Sequence, residues 1–84
     1  MPRVVVRFFS LARDIAGADT IEIEVNGATT VSKLLRREPL KRVVDGLRSR
    51  GVKPVVLVNG EAVDGGSTVN PGDEVAVLPP SSGG

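Results

Sequence analysis

Arg3–Phe9 reads RVVVRFF, an apolar run interrupted only by Arg7, and such a run predicts a strand well inside a sheet. Ser10 follows as a candidate N-cap, Leu11 and Ile15 lie four apart, and Gly17 suits a C-cap, so a helix of one or two turns is expected. Thr20–Val25 alternates strictly: Ile21, Ile23 and Val25 turn inward while Glu22 and Glu24 meet water, the pattern of a half-buried strand towards an edge. After the turn NGATT, Thr30 is placed to cap a helix carrying Val31, Leu34 and Leu35 on one face. Pro39 disfavours helical backbone at Glu38 and predicts a break there. The helical spacing resumes with Leu40, Val43, Val44 and Leu47 and ends near Gly51.

KPVVLV (Lys53–Val58) reads as a buried strand, Asn59-Gly60 as a hairpin turn, and EAV as a short returning strand. DGGSTVNPGD reads as a loop with its turn at Asn70–Asp73, and EVAVLP (Glu74–Pro79) as the last strand. Pro79 and Pro80 offer no backbone donors, so the sheet stops there. The order of elements predicts an α+β roll, a mixed sheet of four or five strands packed against one main helix. Residues 1–80 form the expected domain, and 81–84 an expected flexible Gly-Gly tail.

Composition narrows the chemistry. At 84 residues the chain buries only about 60% of its unfolded surface. Its core must be aliphatic, because Phe8 and Phe9 are the sole aromatic residues. Cysteine and histidine are both absent, which removes the thiol nucleophile, the usual general base and the commonest metal ligands. No metal site and no bound cofactor are therefore expected, and any chemistry must draw its catalyst from a partner. No apolar run approaches the roughly 20 residues of a membrane span, and the start lacks the layout of a signal peptide. A cytoplasmic protein without membrane contact is expected. Net charge is +1, but Lys33–Lys53 holds eight cations against Glu38 and Asp45, a net +6, leaving −5 elsewhere. Segregated charge suits docking to charged partners or a solvated helix face.

The tail VLPPSSGG carries a different kind of signal. Two prolines stiffen the exit from the final strand, and glycines lack the side chains that would bar a narrow channel. A glycine carboxylate becomes an electrophile when joined to AMP, and glycine lets an active site close around the acyl carbon. Gly84 would then be the reactive group and Gly83 its slim approach.

The ordered set VRFFSLARDIAG, TVSKLL, VLVNGEAV, NPGDEVAVLPP and the terminal SGG spans nearly the whole chain. In this set the sequence resembles the β-grasp, ubiquitin-like sulfur carriers of the MoaD/ThiS family, and most of all the MoaD type, the small subunit of molybdopterin synthase. The early helix after Phe8-Phe9 separates it from the thiamine-pathway carriers. The resemblance implies an ATP-dependent adenylyltransferase of the ubiquitin-activating type that adenylates Gly84, with ATP used by that partner. A sulfurtransferase bearing a persulfide would then convert the acyl group to a thiocarboxylate. The large synthase subunit would receive the tail and pass its sulfur to a cyclic pyranopterin in molybdenum cofactor biosynthesis. Pro79, Pro80, Ser81 and Ser82 would lie in the partner's groove, and Phe8 and Phe9 could add a hydrophobic docking face or pack in the core. Ser81 departs from the pattern, which carries a bulkier residue there, and puts one tail contact in doubt.

Two other readings share parts of this evidence. The same acyl-adenylate serves protein conjugation or tRNA thiolation, with Lys33, Lys41 and Lys53 as candidate self-conjugation sites. A β-grasp module binding RNA through the Lys33–Lys53 face is disfavoured, because base stacking needs aromatic side chains and only two exist.

Overall fold

The computed structural model describes residues 2–80. Strand β1 (Arg3–Phe8) pairs antiparallel with β2 (Thr20–Glu24) and parallel with β7 (Glu74–Leu78). β7 pairs antiparallel on its other side with β4 (Val55–Val58), which continues to β5 (Glu61–Ala62). The sheet order is β2-β1-β7-β4-β5, a mixed sheet of five strands. Three helices, α1 (Leu11–Ala16), α2 (Val31–Leu35) and α3 (Leu40–Ser49), complete the α+β fold. Arg36, Arg37, Glu38 and Pro39 separate α2 from α3, at the break that proline imposes.

The core follows from period matching. Val4, Val6 and Phe8 alternate inward from β1, and Val75 and Val77 from β7. Leu40, Val43 and Leu47 face them from α3 at helical spacing, and all three are fully buried. Edge strand β2 contributes Ile23 while Glu22 and Glu24 stay exposed, as its alternation predicts. α1 packs tightly on α3, because a Cβ on Gly46 would stand 3.0 Å from Ile15 Cγ2. Arg42 ties the same pair, donating from Nη1 to Ile15 O at 2.7 Å and from Nη2 to Ala16 O at 3.4 Å. That satisfies carbonyls left open at the end of α1.

Local signals divide between those that hold and those that do not. Thr30 Oγ1 accepts from Lys33 N at 3.2 Å, a true N-cap, and Gly17 closes α1 at φ 76°. Ser10 makes no side-chain cap. It occupies φ 54° and ψ −128°, not the extended backbone of an N-cap, in a tight turn closed by Ala12 N–H donating to Phe9 O at 3.1 Å. The segments read as turn and loop also hold a second, two-stranded sheet, β3 (Thr29–Thr30) with β6 (Thr68–Val69). Two-residue strands are too short for periodicity to reveal.

Candidate functional site

β7 is an inner strand, so its end is gripped from both sides. Val77 lies beside Phe8 of β1, and Leu78 beside Val55 of β4. Phe9 N–H donates to Val77 O at 3.1 Å, extending the grip past the end of β1. Pro79 is half-buried and Pro80 exposed, so the chain leaves the sheet at a fixed point. Ser81, Ser82, Gly83 and Gly84 lie outside the described residues.

The two phenylalanines part company at this point. Phe8 is only 2% exposed and belongs to the core, which corrects its assignment to a docking face. Strand alternation sends its neighbour to the opposite side, and Phe9 is 47% exposed, the sole large apolar side chain so exposed among the described residues. Ser10 φ 54° reverses the chain immediately after it.

Phe9 borders the sheet face that no helix covers. Val5, Val55, Leu57, Ala76 and Leu78 are half-buried on this face, and register sets Arg7, Ala76, Leu57 and Ala62 in one row across it. β1 lies well inside the sheet, as its apolar run predicts, yet one of its faces stays uncovered, because the three helices all lie on the other side. Arg7 Nε holds Glu74 Oε1 at 2.9 Å, and Arg13 Nε lies 3.7 Å from Asp19 Oδ1. Arg7, Phe9, Arg13, Asp19 and Thr20 line an open cleft of about 330 Å³ beside the end of β1. An apolar strip rimmed by charge, next to the base of the C-terminal segment, has the make-up of surfaces that protein partners cover.

The sequence reading missed this strip because it counted apolar residues in each strand singly. The signal was available in the total: β1, β4 and β7 carry apolar residues on both faces, and one main helix covers one face only. Among the described residues no group of three or more Asp or Glu side chains could hold a metal ion. No helix among them is long and apolar enough to cross a membrane.

A five-stranded mixed sheet grasping a helix, with the final strand at its centre and a bare face beside its end, defines a β-grasp protein of the ubiquitin-like kind. Comparison with known proteins narrows this. The chain belongs to the ThiS family, whose sequence profile matches residues 6–84. It is 39% identical to small archaeal modifier protein 3 of Haloferax volcanii, over 94% of this chain and 96% of that one. A Pyrococcus furiosus structure described as a candidate molybdopterin converting factor, subunit 1, superposes with a TM-score of 0.77 at 27% identity, covering 96% of this chain and all of that one, 100%. A chain in the Helicobacter pylori complex of molybdopterin-converting factor subunits 1 and 2 superposes at 0.61 with 25% identity, covering 98% and 99%. The chain is thus a MoaD/ThiS-type small ubiquitin-like protein.

Proposed function

We propose that this protein is a sulfur carrier acting as the small subunit of a molybdopterin synthase, with the Gly84 carboxylate as its reactive end. An adenylyltransferase of the ubiquitin-activating type joins that carboxylate to AMP at the expense of ATP, releasing pyrophosphate. Sulfur from a persulfide-bearing sulfurtransferase displaces AMP, and a thiol reductant frees the thiocarboxylate. A large synthase subunit then receives the tail, and the sulfur passes to a cyclic pyranopterin. Gly83 keeps the approach narrow, while Pro79, Pro80, Ser81 and Ser82 lie along the groove. The fold itself binds no cofactor, and the reaction runs in the cytoplasm.

The observation that carries this reading is the union of two features at one end of β7. The strand fixes the base of the tail, and Phe9 with the uncovered apolar face stands beside it. An intact mass from the native host tests it. A gain equal to exchanging one oxygen for sulfur, at a chain ending on Gly84, is expected; a mature chain running past Gly84 would overturn the proposal.

The identity to an archaeal modifier protein favours a second fate for the same acyl-adenylate, transfer to a lysine amine. Gly-Gly remnants on lysines of other host proteins, found by peptide mass spectrometry, would assign the chain to conjugation.

A further inference from the structure

The ion pairs of this molecule are distributed unevenly. Arg3 and Arg7 on β1 and Arg13 on α1 each face a carboxylate: Glu22 at 2.7 Å, Glu74 at 2.9 Å and Asp19 at 3.7 Å. Of the eight cations between Lys33 and Lys53, Lys41 alone has such a partner among the described residues, Asp45 at 2.9 Å. The positive charge of β1 and α1 is neutralised internally, and most of that between Lys33 and Lys53 is not.

Three of the unneutralised cations, Arg48, Arg50 and Lys53, share one corner, and all are exposed. Gly51 N–H donates to Arg48 O and Val52 N–H to Leu47 O, both at 3.0 Å, folding the end of α3 straight into the approach to β4. Arg50 Nη1 donates to Gly46 O at 2.8 Å, which holds its guanidinium against the helix end without cancelling its charge. β4 pairs Val55 with Leu78. Lys53 stands two residues before this last pair of the ladder and Pro80 two residues after it, where the chain leaves the sheet. This corner therefore flanks the tail base on the side away from Phe9.

We infer that the Arg48–Arg50–Lys53 corner is a second docking element, which seats carboxylates on the rim of the partner opening that admits the tail. The inference rests on the activation reading above. An apolar contact through Phe9 on one side and an ionic contact through Lys53 on the other would fix the direction in which the tail enters. Exposed charges of this kind act through association rate, in proportion to the salt-sensitive field between partners. Nucleic acid phosphate is the weaker match, since no aromatic side chain stands at this corner to stack a base, and Phe9 lies on the opposite side.

The test is ATP–pyrophosphate exchange catalysed by the adenylating enzyme of the same organism, with the full chain as substrate. Arg48→Glu with Lys53→Glu is expected to raise KM roughly tenfold at low salt, with kcat unchanged and the difference fading at high salt. Lys53→Gln should fall between. Lys33→Glu with Arg36→Glu makes the same charge change on α2 and its C-cap, and the first turn of α2 is bonded to Gly65 and Ser67 in the loop before β6. That control should shift KM little. An equal shift from both pairs, or none from the first, overturns the inference and leaves the activation reading standing if exchange still requires Gly84. Absence of exchange with the unaltered chain overturns both. Tight binding of a short single-stranded RNA that Lys53→Glu abolishes would give the corner to nucleic acid instead.

Discussion

Phe8 and Phe9 are chemically identical neighbours with opposite expected costs. Truncating Phe8 to Ala empties a fully packed position and should lower stability by about 3–5 kcal/mol, read as a loss of denaturation midpoint. Phe9→Ala should leave that midpoint within experimental scatter and instead weaken the adenylating enzyme's grip, by roughly tenfold or more in KM if Phe9 anchors the interface. Asp73 supplies a pH-dependent counterpart. Its carboxylate accepts from Asn70 N at 2.8 Å and from Asn59 Nδ2 at 3.1 Å, and these bonds hold its pKa below the ordinary 3.8. A lowered carboxyl pKa contributes stability that is complete above the unfolded value and disappears as pH falls through the folded one. Asp73→Ala should thus lower the melting temperature at neutral pH, and the gap to the unaltered chain should shrink below about pH 4.

At the scale of elements, the contact between α1 and α3 depends on one missing side chain. Gly46 lets Ile15 approach to 3.0 Å of where a Cβ would sit, so Gly46→Leu should separate the helices and cost about 1–3 kcal/mol by chemical denaturation. The strands, the helix break at Pro39 and the caps at Thr30 and Gly17 were legible in the sequence because each rests on neighbours within a few residues. Ser10 was not. Its residue type fits an N-cap, but the chain must reverse directly after β1, and tertiary demand set φ at 54°. The β3–β6 pair escaped for a related reason, since Thr29 and Val69 lie 40 positions apart and carry no local pattern. Of the candidate site, the tail and Phe9 were readable from residue type, whereas the Arg48–Lys53 corner needed the pairing of β4 with β7.

For the molecule as a whole, every buried core residue among the described residues falls between Val4 and Val77. Removing Gly84 deletes none of them, so calorimetry should find an unchanged melting temperature while adenylation is lost. Gly83→Trp should likewise fold normally and block activation through bulk alone. The parallel pairing of β1 with β7 has a mechanical corollary. These are the first and last strands of the described chain, side by side and pointing the same way. Tension applied between the two ends would load their ladder in shear, straining its hydrogen bonds together rather than unzipping them singly. A carrier hauled repeatedly by its terminus, in and out of enzyme channels, would keep its shape; a force spectrometer should record a high rupture force for this pulling axis and a lower one when the handle is moved to the Asn59-Gly60 turn.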